Sequence, residues 1–62
     1  MILAEDILKI IEDEVKWWEK SRDTHSEIGD YENAYKAEIR RSCYNGLRQE
    51  INELIKNEKK NV

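Results

Sequence analysis

One short break, Ile28-Gly29-Asp30, interrupts a chain of 62 residues whose apolar positions otherwise recur with helical spacing on both sides. Proline is absent and the only glycines are Gly29 and Gly46, so little else can stop a helix. Gly29 suits the left-handed residue that ends many helices, and Asp30 can cap the start of the next. The pattern predicts an all-α fold, an antiparallel helical hairpin forming a single domain over residues 1–62. Its parts are a helix over about 2–27, a turn over about 28–30, a helix over about 31–58, and a frayed tail from Lys59.

In the first half, Leu3, Ile7, Ile10, Ile11, Val15 and Trp18 repeat at i, i+3 and i+4, with Lys9, Glu12, Asp13, Lys16 and Lys20 opposite. Glu5 and Asp6 fall in the first turn, where the helix dipole favours negative charge. With Ala4 and Leu8 included, the apolar arc covers nearly half the circumference, more than one neighbouring helix can cover. It narrows toward Arg22, His25 and Ile28. In the second half an i+4 row runs through Tyr31, Tyr35, Ile39, Cys43, Leu47, Ile51 and Ile55, joined by Tyr44 and Leu54. Folding about the turn is expected to layer Ile7 with Ile51, Ile11 with Leu47 and Val15 with Cys43. Gly46, inside the second helix, is expected to mark a close helix crossing.

A domain this small rarely gains more than about 3–5 kcal/mol from its core without a staple. Cys43 is the only cysteine and His25 the only histidine, which leaves no intrachain disulfide and too few soft ligands for structural zinc. Oligomerisation is the staple that remains. The expected assembly is a homodimeric four-helix bundle with Leu3, Ile7, Ile10, Ile11, Trp18, Leu47, Ile51 and Leu54 at the interface. In size and layout the chain resembles the small plasmid-encoded Rop hairpin dimers, which bind RNA. The resemblance covers architecture only, since no RNA-contact motif aligns, and it transfers no site residue.

Asp23, His25, Glu27, Asp30 and Glu32 cluster at the turn. A calcium loop beginning at Asp23 would need glycine where Ile28 stands and a bidentate carboxylate where Ala34 stands, and no Glu-x-x-His or His pair is present. The cluster reads as caps and solvated charge, with no cofactor, no metal and no catalytic grouping. Cys43, within an apolar row, reads as an inert core thiol. Glu14 projects into the apolar arc and needs a partner, for which Arg40, Arg48 or Tyr44 of a neighbouring helix are candidates. Residues 1–15 carry Glu5, Asp6, Glu12, Asp13 and Glu14 against Lys9 alone, whereas Lys36, Arg40, Arg41 and Arg48 make the middle of the second helix basic. These opposite charges are expected to pair the two helices.

The chain is 40% charged with a formal net charge of -3, which argues against a nucleic-acid binder driven by overall positive potential. No leader pattern or apolar run of membrane-spanning length is read, so a soluble, cytoplasmic protein is expected. The leading functional expectation is a non-enzymatic protein-interaction module. Phage or mobile-element genes supply such proteins to inhibit or regulate a larger host protein, here with Trp17, Tyr31, Tyr35, Arg40, Arg41 and Arg48 as the candidate partner surface. A dimer binding RNA or a nucleotide through the arginines and tyrosines is one alternative. A purely structural oligomer is another.

Overall fold

A computed structural model describes residues 3–60 of the chain. It is all-helical: α1 (Ala4–Glu27) and α2 (Tyr31–Lys60) fold back on one another as a hairpin with Cα extents of 51 × 19 × 12 Å. The predicted start near residue 2 and the end of the predicted tail at Asn61 and Val62 lie outside the described residues. The second helix runs two residues farther than expected, through Lys60. Among the described residues no helix is long and apolar enough to cross a membrane.

The turn forms as the sequence predicts. Gly29 takes a φ of 81°, the Gly29 amide donates to the Ser26 carbonyl at 3.1 Å, and the Asp30 amide donates to the His25 carbonyl at 2.8 Å. These two bonds close the end of α1 on a left-handed glycine and satisfy carbonyls that would otherwise lack donors. Asp30 then opens α2, its carbonyl accepting from the Ala34 amide at 3.1 Å and its carboxylate accepting from the Asn33 side-chain amide at 2.7 Å. That second bond holds the Asp30 carboxyl below the usual carboxylate range. At the other end, α1 starts at Leu3, whose side chain cannot cap, and only Glu5 and Asp6 favour the exposed amides.

The core is small and is not where the i+4 row places it. The buried apolar residues are Ile11, Val15, Ala34 and Ala37, while Tyr31, Tyr35, Ile39, Cys43 and Leu47 are all exposed. Ile7, too, is exposed, so the layers of Ile7 with Ile51, Ile11 with Leu47 and Val15 with Cys43 do not form, and Cys43 is a surface thiol rather than a core one. The reason is geometric. Each i+4 step advances about 40° around an α-helix, so a row of six such steps winds across most of the surface and cannot stay on one face. A face is kept by alternating steps of three and four, and α2 has such a row in Ala34, Ala37, Arg41, Tyr44, Arg48, Ile51 and Ile55, all buried or half-buried. Helix α1 answers with Leu8, Ile11, Val15, Trp18, Arg22 and His25, again buried or half-buried. Near the turn the inward residues of α2 are the alanines Ala34 and Ala37, and Arg22 and His25 face them from α1.

Gly46 is also corrected. A Cβ built there would meet nothing within 4 Å among the described residues, so the close crossing expected at Gly46 does not form within the hairpin. The two glycines should therefore respond in opposite ways to substitution. Gly29→Ala is expected to destabilise the fold by about 1–2 kcal/mol because alanine resists the left-handed conformation. Gly46→Ala is expected to stabilise it by about 0.5–1 kcal/mol through helix propensity. Urea unfolding followed by circular dichroism, at one fixed protein concentration, measures both.

Candidate interaction surface

The feature left over after the hairpin closes is apolar surface. Ten large hydrophobic side chains among the described residues are exposed, including Leu3, Ile7, Ile10 and Trp17 on α1 and Leu47 and Leu54 on α2. At about 100° per residue, Leu3, Ile7, Ile10 and Trp17 form a strip beside the buried row of α1. Leu47, Leu54 and the half-buried Ile51 occupy the corresponding strip beside the buried row of α2. Because the helices run in opposite directions, the two strips open on the same side of the hairpin. Heights match as well: Arg22 meets Glu38 and Trp18 meets Arg40 across the groove, which sets Ile7 level with Asn52 and Ile10 level with Gln49. The result is one apolar face on the chain-end half of the molecule.

The same side continues toward the turn in a different chemistry. The indole rings of Trp17 and Trp18 sit edge to face with centroids 4.6 Å apart, and the Arg40 guanidinium lies over the Trp18 ring at 4.7 Å. Trp18 donates its indole N–H to Glu14 at 3.2 Å. Glu14 therefore finds its partner one turn along its own helix, not in Arg40, Arg48 or Tyr44 of a neighbour. Beyond Trp17, Lys20, Ser21, Thr24 and His25 line a shallow open depression of about 370 Å³ on one helix.

On the opposite side, the one ion pair between the helices among the described residues runs from Arg22 of α1 to Glu38 of α2 at 2.5 Å. Glu38 also accepts a forked pair from Arg41, at 2.5 Å from Nη2 and 3.0 Å from Nε. Arg41 and then Arg22 hold the Glu38 carboxyl down to about 2, and Glu38 raises both guanidiniums in return. This corrects the expectation that acidic α1 pairs with basic α2: the ion pair has the reverse sense, and none among the described residues joins residues 1–15 to residues 36–48. Apart from Glu27, the charged cluster at the turn is spent locally. Asp23 pairs with Arg22, Glu32 with Lys36, Asp30 caps α2, and the His25 Nδ1 lies 2.7 Å from the Ser21 carbonyl.

The six candidate partner residues do not gather into one patch. Tyr31 and Tyr35 are open to solvent but lie around α2 from Trp17 and Arg40. Arg41 is occupied by Glu38, and Arg48 turns inward, half-buried, donating to the Asn45 side-chain carbonyl at 2.5 Å. Of the expected oligomer residues, Leu3, Ile7, Ile10, Leu47 and Leu54 are exposed, whereas Ile11 is inside the hairpin and Trp18 and Ile51 are half-buried. Glu38 and Arg22 carry the interhelical link and were not singled out by the sequence. Their signal was the three-four row itself, which puts Arg22 and Arg41 on facing helices with Glu38 beside them. Comparison with protein families, with curated proteins and with solved structures found no match.

A depressed carboxyl stabilises the fold only while it is ionised: the contribution is full above the unfolded value near 4.5 and is lost as pH falls toward about 2. Glu38→Gln is therefore expected to melt below wild type at pH 7. The gap should shrink through the window between pH 4.5 and 2 and close at its lower end, as thermal melts at stepped pH would show.

Proposed function

We propose that this protein is a non-enzymatic protein-interaction module that works as an assembled helical bundle, most simply a twofold dimer of hairpins. The observation that carries this reading is the ratio of covered to uncovered apolar residues: four buried against ten large ones exposed among the described residues. So thin a core does not offset the chain entropy of two helices, and so much exposed apolar surface is what a monomer avoids. Sedimentation equilibrium at micromolar concentration is expected to give twice the 7.5 kDa chain mass. A folded monomer throughout that range overturns the assembly.

The bundle's further partner, in this reading, is a larger protein of the host cell that a phage or mobile-element product inhibits or regulates. Support comes from Tyr31 and Tyr35, which are 71% and 68% exposed near the turn and lie apart from the apolar face of the chain-end half. Tyrosines presented on a rigid helix bury large area at low entropic cost, which suits them as anchors. Affinity purification from host lysate with wild type and with Tyr31→Ala/Tyr35→Ala is expected to recover one protein that the double variant loses while remaining helical and assembled. Identical captures by both would refute the tyrosine anchor.

A further inference from the structure

We infer that a second copy of this chain covers the apolar face with its twofold axis running along the helices, so that both turns lie at one end of the assembly and all four chain ends at the other. The inference rests on the self-association proposed above and adds its direction. It follows from an uneven distribution along the face. Leu3, Ile7 and Ile10 on α1 and Leu47 and Leu54 on α2 are exposed on the chain-end half, while toward the turn the same side of α1 carries Ser21 and Thr24 and that of α2 carries Lys36 and Arg40.

Two arrangements of hairpins stacked face to face satisfy a twofold axis. With the axis across the helices, each apolar half meets the partner's polar half, and Leu3 and Leu54 come to rest against Thr24 and Lys36. That arrangement leaves apolar residues partly covered and desolvates polar ones without new partners. With the axis along the helices, α1 of one copy packs on α2 of the other at the same height. Ile7 and Ile10 then face Leu47 and Leu54 of the second copy, and apolar surface meets apolar surface on both sides of the axis. Farther along, Trp17, which is 59% exposed, comes opposite Arg40 of the second copy, repeating between chains the guanidinium-on-indole contact that Arg40 already makes with Trp18. A copy of itself is also the partner that answers the thin core, because it is present wherever the chain is made.

Spin labels at Glu32→Cys, near the turn, or at Asn57→Cys, near the chain end, each on a Cys43→Ser background, decide the direction. Both positions are exposed, and by helical phase they point away from α1 at the outer edge of the apolar face. Pulsed dipolar spectroscopy is expected to give interchain distances below about 30 Å at both sites, the lateral span of two stacked helix layers. Distances above about 40 Å at both sites, in a sample that sedimentation shows to be dimeric, overturn the inference and leave the self-association standing. A folded monomer overturns both. Ile10→Glu, at a side chain 63% exposed in the hairpin, is expected to keep the helical content and weaken association at least about tenfold. Unchanged association would show that another face is covered.

Discussion

Which side chains this hairpin covers depends on the rotation with which α2 leaves the turn. Gly29 at φ 81° and the two amide bonds back into α1 fix the chain direction, and Asp30 fixes where the next helix begins. With that start, Ala34 and Ala37 face α1, and every later inward position follows by steps of three and four. Had α2 left the turn rotated by one residue, about 100°, Tyr35 and Glu38 would take the places of Ala34 and Ala37, and the helices would stand farther apart. The turn thus sets two small residues inside next to itself and leaves Tyr31, Tyr35 and Ile39 outside.

Much of this was legible in the sequence. The break, its glycine, its cap and the two helices on either side are read from residues whose local chemistry determines local structure. The inward face of α2 was not, because the i+4 row is the more conspicuous pattern and its large apolar residues look like a core. Alanine and arginine carry a weak hydrophobic signal, yet Ala37 is the most deeply buried of the core residues at 2% exposure. Gly46 misled for a related reason. Its cost in a helix implies a compensating contact, and the hairpin supplies none within 4 Å.

Charge was misread through proximity in sequence rather than height in the fold. Residues 1–15 and 36–48 have opposite sign, but antiparallel folding sets residues 36–48 beside the middle of α1, where Arg22 reaches Glu38 instead. Arg41 of α2 forks onto Glu38 as well, and the other two arginines find neutral or aromatic company: Arg48 on Asn45 and Arg40 over Trp18. The acidic start of α1 keeps its field, and the hairpin carries a separation of charge that its own ion pairs do not cancel.

The adjacent tryptophans give the molecule an internal contrast. Trp18 is half-buried beneath a guanidinium with its indole N–H held by Glu14, while Trp17 stands one residue away in water. Two fluorophores of one kind therefore sit in unlike surroundings, touching edge to face. Covering of the surface dries Trp17 and leaves Trp18 as it is, whereas melting of the fold strips Arg40 from Trp18 and opens both rings to water. Docking and unfolding thereby fall on two neighbouring rings as different changes of surroundings.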